Sequence, residues 1–178
     1  MSRPPLTPFS YAVLVLVGQG GAGPHDLVRM ARQGRVYWDA AESQWYAEPK
    51  RLAGLGLLDA EEQPGRTRAR THYTLTEAGR EALRGWLAEP ARFTRMQVEP
   101  VVRLLAADLV GEEAVLASLA PLRAELEELA RRVEAGVEVA ATLPHRERYL
   151  LLAHGLARRL VDAHREWLDE VERELGSR

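Results

Sequence analysis

Residues 42–58, ESQWYAEPKRLAGLGLL, and residues 68–87, RARTHYTLTEAGREALRGWL, decide the fold of this chain. In the first stretch Trp45 and Leu52 lie seven residues apart, which places them on the same side of a helix and predicts a helix over residues 41–54. The second stretch begins with strand-like alternation and ends with the apolar spacing of a helix. A β-hairpin between two helices is therefore expected.

The residues between the two stretches complete this hairpin. An apolar pair at residues 57–58 begins the first strand, a polar turn at residues 64–65 reverses the chain, and residues 66–75 return as the second strand. Thr76 is placed to cap the helix that follows, and Pro90 ends that helix.

Two further helices precede the hairpin region. Thr7 caps the first helix, which Pro8 begins and Gly18 ends, because a proline in the first turn gives up an amide that has no helical partner. Pro24 begins the second helix, and Gly34 ends it. The predicted order is helix, helix, helix, hairpin, helix.

The glycines after the first helix also fit a different kind of protein. Gly18, Gly20 and Gly23 have the G-x-G-x-x-G spacing of a dinucleotide-binding turn. Asp39 follows about twenty residues later, where a nicotinamide-cofactor enzyme has a carboxylate for the ribose. That fold also needs repeated βαβ units in a parallel sheet, which the sequence does not offer. We therefore interpret these glycines as a loop between helices.

Residues 90–178 lack strand signals and carry leucines at heptad spacing, which predicts an all-helical region. Pro121 is expected to break or restart the helix that contains it. Two neighbouring apolar lines then run along residues 149–175, and together they form a stripe wider than one packing helix covers. We expect this region to form a homodimer through Leu150, Leu156, Leu160, Val161, Trp167, Leu168 and Val171.

The composition excludes several classes of protein. The chain has 178 residues, of which 46% are hydrophobic, and no cysteine, so disulfides, thiolate metal sites and cysteine nucleophiles are excluded and a cytoplasmic location is expected. Its longest apolar run is far shorter than the roughly 20 residues that a membrane span needs. A nucleophile with a base, a catalytic carboxylate pair and H-E-x-x-H are all missing. We therefore predict no enzyme, no metal site and no cofactor.

One face of the predicted third helix is suited to contact DNA. Ser43, Ala47 and Lys50 share this face, and Gln44 and Arg51 flank it, opposite the apolar side. Such polar and basic side chains read base edges or hold phosphates, and a small alanine permits close approach. A merely solvated helix face would show the same local pattern.

The hairpin carries a row of cations. Arg66, Arg68 and Arg70 alternate along the second strand, so their side chains point the same way at intervals of about 6.6 Å. Such a row is suited to phosphates and gives a sequence-independent, salt-dependent affinity. The alternative is the charged surface that any exposed hairpin carries.

The same stretches resemble the PadR family of bacterial transcriptional regulators. The family pattern is a recognition helix with a tyrosine and a later leucine, a glycine before the wing, a wing that ends in tyrosine, and then Leu-Thr-x-x-Gly. The matching residues here are Tyr46, Leu52, Gly56, Tyr73, Leu75, Thr76 and Gly79. The likeness is weaker over residues 8–40. Over the last ninety residues it is limited to their being a helical dimerisation region. Pro49 departs from the leucine common in the family, and a proline inside a helix costs about 3 kcal/mol and kinks it.

The resemblance implies a mainly α fold. A winged helix-turn-helix domain, with three helices, a two-stranded wing and a fourth helix, would span residues 1–89, and an all-helical dimerisation domain would span residues 90–178. It implies a dimeric repressor that binds an inverted-repeat operator in double-stranded DNA through the third helix and the wing, and it adds Tyr73 to the DNA-contacting residues. A winged-helix protein-interaction module without DNA binding is the alternative, and a nucleotide-cofactor enzyme is a more distant one.

The resemblance also implies a small aromatic or drug-like effector. Aromatic side chains would contact such a molecule by stacking and apolar burial. The candidate effector-binding residues are Trp45, Trp86 and Trp167.

Overall fold

The computed structural model describes residues 6–18, 20–33, 37, 40–64, 69–93 and 96–177. Its internal contacts divide the chain into two compact units, Met1–Phe93 and Thr94–Arg178, which we call the N-terminal unit and the C-terminal unit. The sequence-based domain boundary at residue 89 stays a prediction.

The described residues of the N-terminal unit form four helices and one β-hairpin in the predicted order. Their bounds are α1 (Pro8–Val17), α2 (Pro24–Gln33), α3 (Glu42–Gly54), β1 (Leu58–Gln63), β2 (Arg70–Leu75) and α4 (Glu77–Ala88). The two strands pair antiparallel, with Leu58 opposite Leu75 and Gln63 opposite Arg70. Within the described ranges this two-stranded sheet has no parallel neighbour, so the parallel sheet that a dinucleotide-binding fold requires is not formed there.

Helix α1 begins and ends where the sequence predicts. The Ser10 amide donates to Thr7 Oγ1 at 3.2 Å, and the Thr7 amide donates to Ser10 Oγ at 2.9 Å, which forms a capping box. Gly18 ends the helix with a φ of 58°, a conformation that favours glycine. Val13 and Leu14 have no exposed surface, so α1 is a central helix of this unit.

Helix α3 continues through Pro49 to Gly54. The proline removes one helical hydrogen bond, but its side chain is fully buried on the same helix as Trp45 and Leu52. Burial of the apolar ring offsets part of this cost. Helix α3 is therefore unbroken despite the proline.

The junction of the wing with α4 depends on Thr76 and Gly79. The Thr76 hydroxyl accepts from the Gly79 amide at 3.0 Å and lies 2.8 Å from the carbonyl oxygen of Gly56, to which it donates. A Cβ atom at position 79 would overlap the carbonyl oxygen of Leu57. Only a glycine therefore lets α4 begin so close to the start of the wing.

The C-terminal unit is helical, as predicted. Its helices are α5 (Glu99–Leu105), α6 (Ala107–Val110), α7 (Glu112–Ala141) and α8 (Glu147–Gly176). The prediction of a break at Pro121 is wrong, because α7 continues through it for 30 residues. Helix α7 packs on α8, α5 and α6, and these tertiary contacts outweigh the local helix-breaking tendency.

Helices α7 and α8 form an antiparallel pair joined by ion pairs near both ends of their contact. Arg123 lies 2.6 Å from Asp169 and 2.8 Å from Glu172. Arg158 reaches back to Glu134 at 2.7 Å with a bidentate contact. These pairs are exposed, so they orient the two helices more than they stabilise them.

The structure corrects the predicted dimerisation set. Val161, Leu168 and Val171 are buried within the chain's own C-terminal unit, at 3%, 0% and 6% exposure, because the first apolar line of α8 packs on α7. Leu156, on the second line, stays 52% exposed. The other three members, Leu150, Leu160 and Trp167, are partly exposed.

Two histidines of α8 have defined contacts, one within α8 and one with α7. The His164 ring donates from Nδ1 to the carbonyl oxygen of Leu160 at 2.7 Å. The His154 ring packs directly against Gly136 of α7, where a Cβ atom would overlap it. Burial lowers the pKa of His154, and the nearby Glu134 carboxylate opposes that shift. Both histidines therefore have structural roles.

Replacing Trp45 by alanine is expected to lower the free energy of unfolding by about 3 to 5 kcal/mol, because a buried indole is lost and a cavity remains. Trp45 is 3% exposed, whereas Trp86 is 39% exposed. The matched variant Trp86→Ala should therefore lose less. Denaturant unfolding of both variants measures the difference, and equal losses would contradict the burial described here.

Candidate nucleic-acid interface

Helix α3 buries one side and exposes the other. Leu52 has no exposed surface, and the Trp45 ring meets the Phe9 ring of α1 edge to face with centroids 4.7 Å apart. The opposite side is therefore turned outward. Four predicted DNA-contacting residues are exposed there: Ser43, Gln44, Ala47 and Lys50.

Few of the described cations of the N-terminal unit lack a carboxylate partner. Most described arginines of this unit form ion pairs inside it: Arg29, Arg32, Arg51, Arg80 and Arg84. Among the residues described, Lys50, Arg70 and Arg92 are exposed and have no such pair. No carboxylate among the described residues offsets the charges of Lys50 on α3 and Arg70 on β2, so both side chains are available to an external anion.

Arg51 was predicted to contact DNA, and the structure instead ties it into the unit. Its guanidinium pairs with Glu48 at 2.6 Å and donates to Ser10 Oγ of α1 at 3.0 Å. The Glu48 side chain is only 14% exposed. The hydrogen bond from Arg51 holds the pKa of Glu48 below its ordinary value and raises the pKa of Arg51. Arg51 therefore anchors α3 on α1.

Gln44 has a partial structural role. Its side-chain oxygen accepts from the Ala41 amide at 3.2 Å and so caps α3. A bidentate contact to adenine uses both the oxygen and the nitrogen of a glutamine amide. While the cap is formed, Gln44 can offer DNA only its amide nitrogen.

The wing presents one described member of the predicted arginine row. Arg70 is the first residue of β2, lies opposite Gln63 and is exposed. It therefore stands at the end of the hairpin that leads into the wing tip. Arg66 and Arg68 lie outside the described residues.

The structure corrects the assignment of Tyr73. This residue is 5% exposed and belongs to the core of the N-terminal unit, because alternate residues of β2 face the core. Its backbone exchanges hydrogen bonds of 2.9 and 3.0 Å with Ala22. Burial raises the pKa of its hydroxyl. Tyr73 is a core residue and has almost no side-chain surface for DNA.

The glycine loop supports the wing. Gly21 has a φ of 73°, and a Cβ atom there would overlap the His72 ring and approach the carbonyl oxygen of Tyr73. The missing side chain lets Ala22 reach β2 and pair with it. The glycine loop therefore extends the two-stranded wing by one antiparallel β-bridge, between Ala22 and Tyr73. Asp39, which would bind the ribose in the dinucleotide-binding interpretation that the sequence does not support, lies outside the described residues.

Three residues that were not predicted to contact DNA line a cleft between α2, α3 and β2. They are His25 and Arg29 of α2 and Tyr46 of α3, and the cleft has a volume of about 620 Å³. A 3.0 Å hydrogen bond joins the Tyr46 hydroxyl to His25 Nδ1. Tyr46 lies four residues before Lys50, and this spacing could have placed it beside the exposed cation.

The three tryptophans predicted to bind an effector have different surroundings. Trp45 is closed off in the core. The Trp86 ring stacks on Tyr11 of α1, with centroids 4.7 Å apart and planes 7° apart, and it keeps an exposed edge. Trp167 is partly exposed on α8. An effector role stays a prediction for Trp86 and Trp167, whereas Trp45 is structural.

The described residues contain no group of three or more histidine, aspartate or glutamate side chains placed to hold a metal ion. None of the described helices has the length and apolar content that a membrane-spanning helix requires.

Comparisons by sequence find no match, since no family model and no curated protein resembles the chain closely enough. Solved structures share its fold. Bacillus subtilis PadR in complex with operator DNA matches with a TM-score of 0.77 at 17% identity, covering 95% of this chain and 99% of that chain. The same protein in complex with p-coumaric acid matches with a TM-score of 0.68 at 17% identity, covering 95% and 99%.

The Vibrio cholerae virulence activator AphA matches with a TM-score of 0.72 at 24% identity, covering 94% of this chain and 98% of that chain. The fold expected from the sequence resemblance is therefore confirmed. The chain has the PadR-like architecture of a winged helix followed by a helical C-terminal region.

Acidification is expected to remove the contribution of the Glu48–Arg51 pair to stability. The native pKa of Glu48 lies below its ordinary value, so the pair stabilises the fold above that ordinary value and loses its effect as the pH falls through the native pKa. Arg51→Met keeps the aliphatic stem and removes the charge. The melting temperature of this variant should lie furthest below that of the wild type near neutral pH.

Thermal unfolding across the acidic range measures this difference. Arg80→Met is the matched control, because Arg80 pairs with the exposed Glu77. A melting-temperature difference between wild type and Arg51→Met that does not shrink in acid would contradict the assigned role of Arg51.

Proposed function

We propose that this chain is a PadR-type transcriptional regulator that represses by binding double-stranded DNA as a homodimer. The observation that carries the proposal is the pair of unpaired cations, Lys50 on the outer side of α3 and Arg70 on β2, in a unit whose other described arginines are mostly neutralised. The shared fold with Bacillus subtilis PadR, which was solved with operator DNA, supports it.

In this proposal α3 enters the major groove and the wing contacts the backbone. Lys50 and the amide nitrogen of Gln44 face base edges, while Ser43 and Ala47 are small enough for close approach. Arg70 contacts phosphate, as would Arg66 and Arg68.

The homodimer is proposed to form through the second apolar line of α8. Leu156, Leu160 and Trp167 belong to this line and are exposed or half-exposed, whereas the first line packs on α7. The C-terminal unit exposes further large apolar side chains, and apolar surface of this kind is where a partner chain packs. They are Val101, Val102, Leu105, Leu109, Val110, Tyr149, Leu151 and Leu152.

A two-fold dimer presents two copies of α3. Its operator is then an inverted repeat whose half-sites lie about 34 Å apart, or a multiple of that distance. Because repression acts on chromosomal DNA, we place the protein in the cytoplasm.

A small aromatic effector is proposed to act at exposed tryptophan surface. Trp86 offers an exposed edge beside its stack on Tyr11, and Trp167 is partly exposed on α8. Planar apolar ligands stack on such rings. The PadR structure solved with p-coumaric acid supports this class of ligand.

Removing Arg70 and removing Lys50 are expected to have different effects on DNA binding. Arg70→Ala should lower the slope of log affinity against log salt by about 0.9 for every DNA sequence, because one phosphate contact is lost. Lys50→Ala should reduce discrimination between operator and random DNA by about 1 to 3 kcal/mol, because a base contact is lost. Salt titrations on the DNA upstream of its own gene and on a random duplex measure both effects.

Arg84→Ala is the control for this experiment, because Arg84 already pairs with Glu77 and Glu81 on α4. Wild-type binding no tighter than about 10 μM to either DNA at moderate salt would be ordinary nonspecific strength or weaker. The regulator proposal would then fail in favour of a winged-helix protein-interaction module.

Leu156→Asp is expected to dissociate the dimer without unfolding the chain. Leu156 is 52% exposed within the chain, so the charge would be buried only at the proposed interface. Leu168→Ala, inside the α7–α8 contact, should lower the free energy of unfolding by about 2 to 5 kcal/mol and leave the dimer intact. Light scattering reports the mass of each variant. A monomeric wild type, or a dimeric Leu156→Asp variant, would contradict this interface.

A further inference from the structure

We infer that the cleft between α2, α3 and β2 holds a backbone phosphate of the bound DNA, with His25, Arg29 and Arg70 as its contacts and Tyr46 as the residue that positions His25. The inference rests on the proposed DNA-binding function and adds a second binding element beside the outer face of α3.

Three elements contribute hydrogen-bond donors to the lining of the cleft. His25 and Arg29 come from α2, Tyr46 comes from α3, and Arg70 and Thr71 come from β2. The volume of about 620 Å³ is larger than one phosphate group needs, and the cleft is open to solvent, so a phosphate on a continuous strand can enter it.

The charge of the cleft favours an anion. Its charged side chains are Arg29, Arg70 and Asp26. Asp26 is already engaged, since one oxygen accepts from the Gly23 amide at 3.2 Å and the other pairs with Arg29 at 2.8 Å. Arg29 makes this pair through one terminal nitrogen and is 72% exposed, so its remaining donors are free to bind a ligand. Arg70 has no ion pair with a described residue.

The Tyr46–His25 hydrogen bond determines which ring nitrogen of His25 can donate a hydrogen bond to a phosphate. When the Tyr46 hydroxyl donates to Nδ1, the proton of the neutral ring lies on Nε2, which is then a donor for phosphate. The two rings meet edge to face with centroids 5.6 Å apart, which also limits rotation of the imidazole. The charged and titratable groups around His25 are Tyr46 from α3, Arg70 from β2, and Asp26 and Arg29 from α2.

The cleft is continuous with the proposed major-groove face. Tyr46 and Lys50 are four residues apart on α3, so they are neighbours on its surface. Both are exposed, and Tyr46 is 37% exposed. A strand whose bases meet Lys50 therefore has its backbone close to Tyr46 and the cleft.

The experiment is a salt titration by fluorescence anisotropy on the full chain, with a labelled random-sequence duplex of about three helical turns. Arg29→Ala should lower the slope of log affinity against log salt by about 0.9. His25→Ala should weaken binding about tenfold, the loss of one hydrogen bond to a charged group. His25→Gln should recover most of the affinity, because its amide nitrogen reaches the position of Nε2.

Tyr46→Phe tests positioning separately from packing, because it keeps the ring and removes the hydroxyl. It should weaken binding in the wild-type background and have no further effect in His25→Ala, since the two residues act through one contact. A purely structural role of Tyr46 would lower affinity equally in both backgrounds. That result would overturn the assignment of Tyr46.

The matched control is Arg80→Ala, because Arg80 also pairs with a carboxylate three residues away on an exposed helix face. If the wild type binds DNA and both Arg29→Ala and His25→Ala behave like Arg80→Ala, the cleft inference is overturned and the proposed function stands. If the wild type binds no DNA, the proposed function itself fails. Binding of inorganic phosphate by calorimetry, without any effect of Arg29→Ala on DNA affinity, would assign the cleft to a free anion instead.

Discussion

The burial of α3 against α1 is the constraint on which the rest of the N-terminal unit depends. Trp45 meets Phe9, and Leu52 has no exposed surface, so the rotation of α3 about its own axis is determined by apolar packing. Arg51 adds a polar anchor from α3 to Ser10 of α1. Because these contacts occupy one side of α3, the opposite side is left for a ligand.

Ion pairing within the unit then determines which cations remain available to bind an external anion. The unit is rich in arginine, but pairing with nearby carboxylates satisfies most of the described guanidinium groups. Exposed pairs of this kind contribute little to stability, yet they reduce the charge seen by an approaching polyanion. Lys50 and Arg70, like Arg92, have no carboxylate partner among the described residues, and Lys50 and Arg70 lie on the two elements that are proposed to contact DNA.

In the C-terminal unit, too, one side of a helix is buried and another is left exposed, because only one of the two apolar lines of α8 packs on α7. The first line of α8 is buried on α7, and Gly136 lets the His154 ring approach the α7 backbone closely. The second line remains at the surface, where Leu156 is half exposed. The exposed apolar side chains of this line are the physical reason for proposing a partner chain.

The sequence by itself determined the order of the elements and several of their ends, because caps, glycines and apolar periodicity act locally. Thr7, Gly18 and Thr76 all perform the terminal roles that their residue types favour. Only the tertiary structure decided that Tyr73 is buried, that Arg51 is paired and that α7 continues through Pro121. Those outcomes depend on neighbours distant in sequence or on another turn of the helix, and a periodic pattern cannot show which partner occupies a side chain.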